Sequence, residues 1–377
     1  MISLNAPQIG EEEVKAVVKV LRSGVLTTGL GAGPTVTEFE KAYADFVKAK
    51  HAVAMNMGTG ALHSALAAAG VKGGDEVILP SFTFVATAET VVMIGAKPVF
   101  VDIDPEAYNV SPSSIEKAIS KKTKAIMPVD LYGLPADVQQ IREIADKHGL
   151  LIIEDAAQAH GATCNGKPVG AFADAACWSF YASKNMTTGE GGMLTTNNDE
   201  IAEKARLIRT HGEKKKYTSI MLGHNYHMTE IQAAIGLVQL KKLPGFVAKR
   251  RRNAGRLSER LRKVKGLQLP TEPKGYKHSW YLYTVRLKNA KENRRNRIIE
   301  RLKEQGVASE AYYATPIHLM PYYRKFGKHR LPETEKAAKQ VFSLPVHPGV
   351  TPKKIDFIAE TVQHLLKQAG QVKGYME

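Results

Sequence analysis

Between residues 51 and 196 the chain alternates short apolar runs with helix-length stretches, and this rhythm constrains the fold more than anything else in it. Residues 51–56, 76–79, 98–101, 124–127 and 151–153 read as strands, with helices expected at 59–69, 82–94, 113–119 and 135–148. Further strands are expected at 175–180 and 193–196. Strands separated by helices of this length predict an α/β fold, a mainly parallel sheet covered on both faces. At 377 residues the chain exceeds one typical core. A helical stretch over 229–264, interrupted at Pro244-Gly245, is expected to join a large domain, 1–243, to a smaller α+β domain, 244–377. In the smaller domain a strand is expected at 280–287 and helices at 294–304, 333–342 and 351–368.

In open α/β sheets ligands bind at the carboxyl ends of the strands, and the residues with chemical potential fall there. Asn56-Met57-Gly58-Thr59-Gly60 lies between a strand and a helix. Its glycines let backbone approach a phosphate, Thr59 offers a hydroxyl, and a helix amino terminus favours negative charge. A plain helix-capping turn is the alternative reading. Phe84 follows the next strand, either as a flat surface for a ring or as a core aromatic. Asp155 closes an apolar strand, where a carboxylate also serves as a simple helix cap. Lys184 stands in Ser179-Phe180-Tyr181-Ala182-Ser183-Lys184-Asn185, followed by Gly189, Gly191 and Gly192; taken alone it is a solvated lysine. An acidic strand end followed by a lysine among small residues is what pyridoxal 5'-phosphate (PLP) chemistry requires. The lysine forms a Schiff base with the aldehyde, and the carboxylate keeps the ring nitrogen protonated.

Other features carry less. Gly29-Leu30-Gly31-Ala32-Gly33 is followed by Pro34 where a dinucleotide loop needs glycine, so it reads as a flexible loop. Cys164 and Cys177 lack metal or disulfide-framework spacing, and His224, His227 and His318 are too dispersed to suggest a metal site. The 53 Lys and Arg residues exceed the 37 Asp and Glu by a net charge of +16. The excess is scattered and has no interleaved aromatics, so it reads first as solvated surface, then as attraction for an anionic substrate, and last as nucleic-acid binding. No basic leader or bilayer-length apolar run is present, which gives the expectation of a cytoplasmic protein without membrane attachment.

Together these segments resemble the DegT-type nucleotide-sugar aminotransferases, PLP enzymes of the aspartate-aminotransferase fold (fold type I). The likeness runs through Leu26 to Gly29, Gly58-Thr59, Pro80 to Thr87, Glu154 to Gly161 and Ser179 to Gly192. It continues through Gly223 to Ala234, with weaker echoes at Pro316-Ile317-His318 and Ser343 to His347. The resemblance implies a seven-stranded-type sheet, Lys184 as the catalytic attachment point and proton shuttle, and Asp155 on the pyridine nitrogen. It implies that Gln158 contacts the ring hydroxyl, Phe84 stacks on the ring, and Gly58, Thr59, Gly60 and Ser179 bind the phosphate. Asn225 resembles a residue that reaches the phosphate from a neighbouring subunit, which implies a homodimer with shared active sites. Tyr181, His227 and Asp130 stand where many members carry histidine, arginine and histidine, and the loop from Gly29 to Pro34 is longer than usual.

The implied reaction moves an amino group, with glutamate as the expected donor, onto a keto group of a nucleotide-diphosphate sugar, for amino-sugar and polysaccharide biosynthesis. Lys184 argues against the sugar dehydratases, which resemble this family but carry histidine there. A cyclitol (inosose) aminotransferase remains an alternative, and a non-catalytic regulator that binds DNA is a further one. No helix-turn-helix signature stands out to support the regulator.

Overall fold

The computed structural model describes the backbone of residues 1–29 and 31–371, and side chains through 368. Leu30 in the expected loop, and 372–377 of the expected second domain, lie outside the described residues. Two helices, α1 (Glu11–Ser23) and α2 (Pro34–Val47), precede the sheet. There follow β1 (His51–Met55), α3 (Gly58–Ala68), β2 (Glu76–Pro80), α4 (Ala86–Met93) and β3 (Lys97–Val101). Next come α5 (Pro112–Ala118), β4 (Thr123–Ile126), α6 (Val138–His148) and β5 (Leu151–Asp155). A short hairpin, β6 (Thr163–Cys164) and β7 (Lys167–Pro168), leads to β8 (Ala175–Ser179), β9 (Gly192–Thr196) and α7 (Asp199–Arg209).

These strands form one seven-stranded sheet in the order β1-β9-β8-β5-β4-β2-β3, in which β9 alone runs against the others. Alternate side chains feed cores on opposite faces. Val53 and Met55 pack with Leu62 and Leu66 of α3, while Ala52 and Ala54 pack with Phe39 and Tyr43 of α2. In β2, Val77 and Leu79 face the first of these cores, and Ile78 faces a third beside Ile141 of α6. The α/β architecture with a mainly parallel covered sheet is the one expected.

Beyond a small hairpin, β10 (Glu213–Lys215) and β11 (Thr218–Ser219), the chain enters α8 (Glu230–Leu261). Thr229 opens α8 with a reciprocal cap, its Oγ1 accepting from Gln232 N–H at 3.2 Å while Gln232 Oε1 accepts from Thr229 N–H at 2.8 Å. The remaining elements are β12 (Leu267–Gln268), β13 (Tyr276–Lys277), β14 (Tyr283–Leu287), α9 (Glu292–Glu304), α10 (Pro332–Gln340), β15 (Val341–Leu344) and α11 (Pro352–Gln371). Strands β12, β14 and β15 make a second sheet, covered by a core that includes Leu257, Tyr283, Ile298, Phe342 and Ile358. Strand β13 returns to pair with β6.

Several expected boundaries move. Helix α8 runs unbroken through Pro244, past the expected interruption. Proline removes a single helical N–H there, and buried Leu243 and Val247 on either side anchor the helix in the second core. Helix α4 begins at Ala86 rather than 82, because Phe82 is wholly buried and Ser81 Oγ is held 2.7 Å from His318 Nδ1. Helix α6 begins after Asp137, whose carboxylate caps Gln140 N–H. The strand expected from 280 starts at Tyr283, and Val341 and Phe342, expected in a helix, pair with Arg286 and Val285 in the second sheet. Helices α1 and α2 were not anticipated. Among the described residues no helix is long and apolar enough to cross a membrane.

Close approach of α2 and α8 depends on Gly236, where an added Cβ would lie 2.6 Å from Phe39 Cζ. Gly255, in the same helix, has nothing within 4 Å of an added Cβ. Gly236→Ala is therefore expected to destabilise the protein by about 1–3 kcal/mol through overpacking. Gly255→Ala is expected to stabilise it by about 0.5–1 kcal/mol through helix propensity. Urea midpoints of the two variants should move in opposite directions.

Candidate active site

The carboxyl ends of the parallel strands bring the sequence-selected residues to one side of the sheet. Asp155 ends β5 and is 5% exposed. Its Oδ2 accepts from Thr87 Oγ1 at 2.8 Å and its Oδ1 from Ala157 N–H at 3.2 Å. Burial pushes this carboxyl above the usual range, opposed by those two hydrogen bonds and by the positive charge of Lys184. Sequence reasoning missed Thr87 as a partner. It sits in the first turn of α4, and only the fold brings that turn over the end of β5.

Lys184 is half-buried in the loop between β8 and β9. Its Nζ lies 4.6 Å from the centre of the Tyr281 ring, and Ser183 Oγ is 2.9 Å from Tyr281 Oη. The loop is tied down on both flanks of the lysine. Lys184 N–H donates to Tyr181 O at 2.9 Å, Asn185 Nδ2 to Ser279 O at 3.1 Å, and Thr187 Oγ1 to Phe180 O at 3.0 Å. Tyr281 is itself held from α8, where buried Arg250 donates to the carbonyls of Trp280 at 3.1 Å and Tyr281 at 3.0 Å. Burial brings that guanidinium down to about 10, so it stays charged at neutral pH.

The Gly58-Thr59-Gly60 turn forms the start of α3, whose first turn has no side-chain cap. Helix-start N–H groups left this way suit an anion. Ser179 ends β8 directly opposite, and a Cβ on Gly58 would come 2.8 Å from Ser179 Cβ. Ser179 is fixed by His160, whose Nε2 lies 2.8 Å from Ser179 O. A carbonyl only accepts, so Nε2 carries the proton and Nδ1 accepts from Tyr43 Oη at 2.8 Å. Burial takes His160 down to about 3, so the ring is neutral.

Phe84 is 56% exposed, which rules out the core-aromatic reading, and its ring centre is 6.3 Å from that of Tyr313. Gln158 is buried, its Oε1 accepting from Tyr132 N–H at 2.7 Å and its Nε2 donating to Tyr313 Oη at 3.3 Å. Neither tyrosine was anticipated from sequence, since both contacts span long chain separations. Asn225 is exposed; its backbone O accepts from Asn56 Nδ2 at 3.3 Å and its Oδ1 from His227 N–H at 3.5 Å. Cys164 and Cys177 are buried free thiols that burial pushes upward, away from reactivity.

A family model described as the DegT/DnrJ/EryC1/StrS aminotransferase family matches residues 7–363. A "Pleiotropic regulatory protein" of Geobacillus stearothermophilus is 42% identical, with 94% of each chain covered. A GDP-perosamine synthase of Caulobacter vibrioides is 40% identical over 97% of this chain and 98% of its own. Among solved structures, a Streptococcus pneumoniae protein described as a candidate sugar aminotransferase, in its PLP form, superposes with a TM-score of 0.92. It is 29% identical, covering 97% of this chain and 99% of that one.

Removing the Thr87 hydroxyl tests the electrostatics of Asp155. A hydrogen bond to a charged group contributes about 1.5–3 kcal/mol. Thr87→Val is thus expected to raise the Asp155 pKa further, because the variant loses a hydrogen bond that favours the ionised form. Carboxyl-carbon NMR of labelled aspartate across a pH series would read the shift.

Proposed function

The chain belongs to the DegT/DnrJ/EryC1/StrS aminotransferase family, and from that premise we propose that it is a PLP-dependent aminotransferase acting on a nucleotide-diphosphate-linked keto sugar. The observation that carries this reading is the buried Asp155 carboxylate, held by Thr87 and Ala157 and close enough to Lys184 to feel its charge. The fit of the cofactor is supported by three features of the chain itself. An uncapped helix start faces Ser179 across a gap that a Cβ on Gly58 would fill, an exposed Phe84 offers a ring surface, and a carboxylate waits without a paired cation of its own.

In this reading the amino ends of α3 at Gly58, Thr59 and Gly60, together with Ser179, hold the phosphate. Asn225 of a neighbouring subunit completes that site, so the working unit is a homodimer. When bound, PLP supplies an aldehyde that captures amines and a ring that accepts electrons from the substrate carbon. Asp155 would keep the ring nitrogen protonated, Gln158 would contact the ring hydroxyl, and Phe84 would stack on the ring. Lys184 would anchor the cofactor through Nζ and would hold and move a proton at that atom. The ring of Tyr281 restricts where Nζ can travel. Glutamate is the proposed donor. The GDP-sugar named for the Caulobacter relative supports a nucleotide sugar as acceptor, and the net charge of +16 suits a diphosphate. Residues 1–243 are proposed as the cofactor domain and 244–377 as a smaller α+β domain.

Purified protein mixed with PLP is expected to turn yellow, and its band to move to shorter wavelength with excess glutamate. Borohydride reduction followed by mass spectrometry should then fix the cofactor to Lys184 in the wild type and nowhere in Lys184→Ala. The variant is expected to lose turnover by several orders of magnitude. Full turnover in Lys184→Ala, or a colourless protein that no amount of PLP reconstitutes, would overturn the reading. A colourless protein that instead shifts DNA in a salt-dependent manner would favour a regulator, as the Geobacillus relative is named.

A further inference from the structure

Behind Asp155, on the opposite face of β5, lie two carboxyl groups that the proposed chemistry does not use. Glu154 is 1% exposed and Asp130 is 0% exposed. Adjacent strand residues point to opposite faces, so Glu154 is directed away from the Asp155 side chain. Asp130 is brought to it by backbone pairing past the end of β4. Asp130 N–H donates to Asp155 O at 3.1 Å, and Asp155 N–H donates to Pro128 O at 2.9 Å.

Each carboxyl has one oxygen tied to a backbone donor. Asp130 Oδ1 accepts from Ala136 N–H at 2.8 Å, and Glu154 Oε2 accepts from Gly170 N–H at 2.9 Å. Asp130 Oδ2, equally buried, has no partner among the N–H and O–H groups of the described residues. Among the described residues no cation bears on either acid; Asp130 feels Glu154 and Asp155, and Glu154 feels Asp130. Cys164 on β6 feels both acids and Cys177 on β8 feels Glu154, and neither thiol supplies positive charge.

We propose that Asp130 and Glu154 share a proton at neutral pH, forming a carboxyl–carboxylate pair that positions the end of β4 against β5 behind Asp155. Two ionised carboxylates side by side in a buried site repel each other and have both lost their hydration. One proton between the two carboxyls removes the repulsion and gives Asp130 Oδ2 its missing hydrogen bond. Burial raises both groups, in the direction that keeps this proton bound. The pair also means that the strand end carries less negative charge behind Asp155 than its three acids would suggest. Asp130 and Glu154 are positioning residues in this scheme.

The experiment uses the full chain without cofactor, so its outcome is separate from that of the aminotransferase reading. Infrared difference spectra between the wild type and Glu154→Gln, and between the wild type and Asp130→Asn, are recorded at pH 7. A protonated-carboxyl carbonyl band is expected in the wild type and is lost in both variants. Folding stability followed against pH gives the second readout. The pair's folded pKa lies above its unfolded one, so its contribution is complete below about pH 4 and declines as pH rises. One extra proton in the folded state weakens the folding equilibrium constant about tenfold per pH unit in that window. The slope is expected to be shallower by that amount in Asp130→Asn, whose amide donates permanently. A wild type without the band, or variants that keep both the band and the wild-type slope, would overturn the proposal. Should a variant fail to fold, the wild-type band followed from pH 5 to 9 decides alone.

Discussion

Removing the Asp155 carboxylate from water is the interaction on which the rest of the site depends. A buried carboxylate costs free energy unless its oxygens find donors and its charge finds a counterpart. The residue two beyond the strand end supplies one donor, Ala157 N–H, and the start of α4 supplies another, the Thr87 hydroxyl. Lys184 supplies positive charge across the site. In the proposed reading a cationic ring nitrogen would complete the set.

The long helix α8 converts this local arrangement into a rigid one. Its capped start lies beside the loop of Asn225, its middle packs against α2 across Gly236, and its later turns carry Arg250 to the backbone of Trp280 and Tyr281. Tyr281 in turn faces Lys184. A single element therefore fixes the surroundings of the lysine from the second core outward. Continuity through Pro244 matters for this, because a break there would uncouple Arg250 from the first half of the helix.

The same logic of compensation operates on the far face of β5. Asp155 faces a lysine, whereas Asp130 and Glu154 face each other with no cation available. The positive charge of Lys184 opposes the upward push of burial on Asp155, whereas nothing positive opposes it at Asp130 and Glu154. Two neighbouring residues of one strand thus meet different electrostatic surroundings because the sheet separates them.

The sequence alone determined the α/β class, because the alternation of apolar runs and helix-length stretches is a local property that a parallel sheet demands. It also determined that an acid closes β5 and that a lysine sits in a loop rich in small residues, and the family followed from the order of those motifs. Tertiary structure decided what those residues touch. Thr87 above Asp155, Tyr313 on Gln158 and Tyr281 under Lys184 are separated from their partners by 68, 155 and about a hundred residues along the chain. It also decided that α8 survives Pro244, that Val341 belongs to a strand, and that Phe82 lies buried outside α4. Hydrophobic periodicity and turn chemistry act over a few residues and can be read in order. Burial, pairing and protonation depend on which distant segments share a volume, and that is fixed only when the sheet closes and its faces are covered.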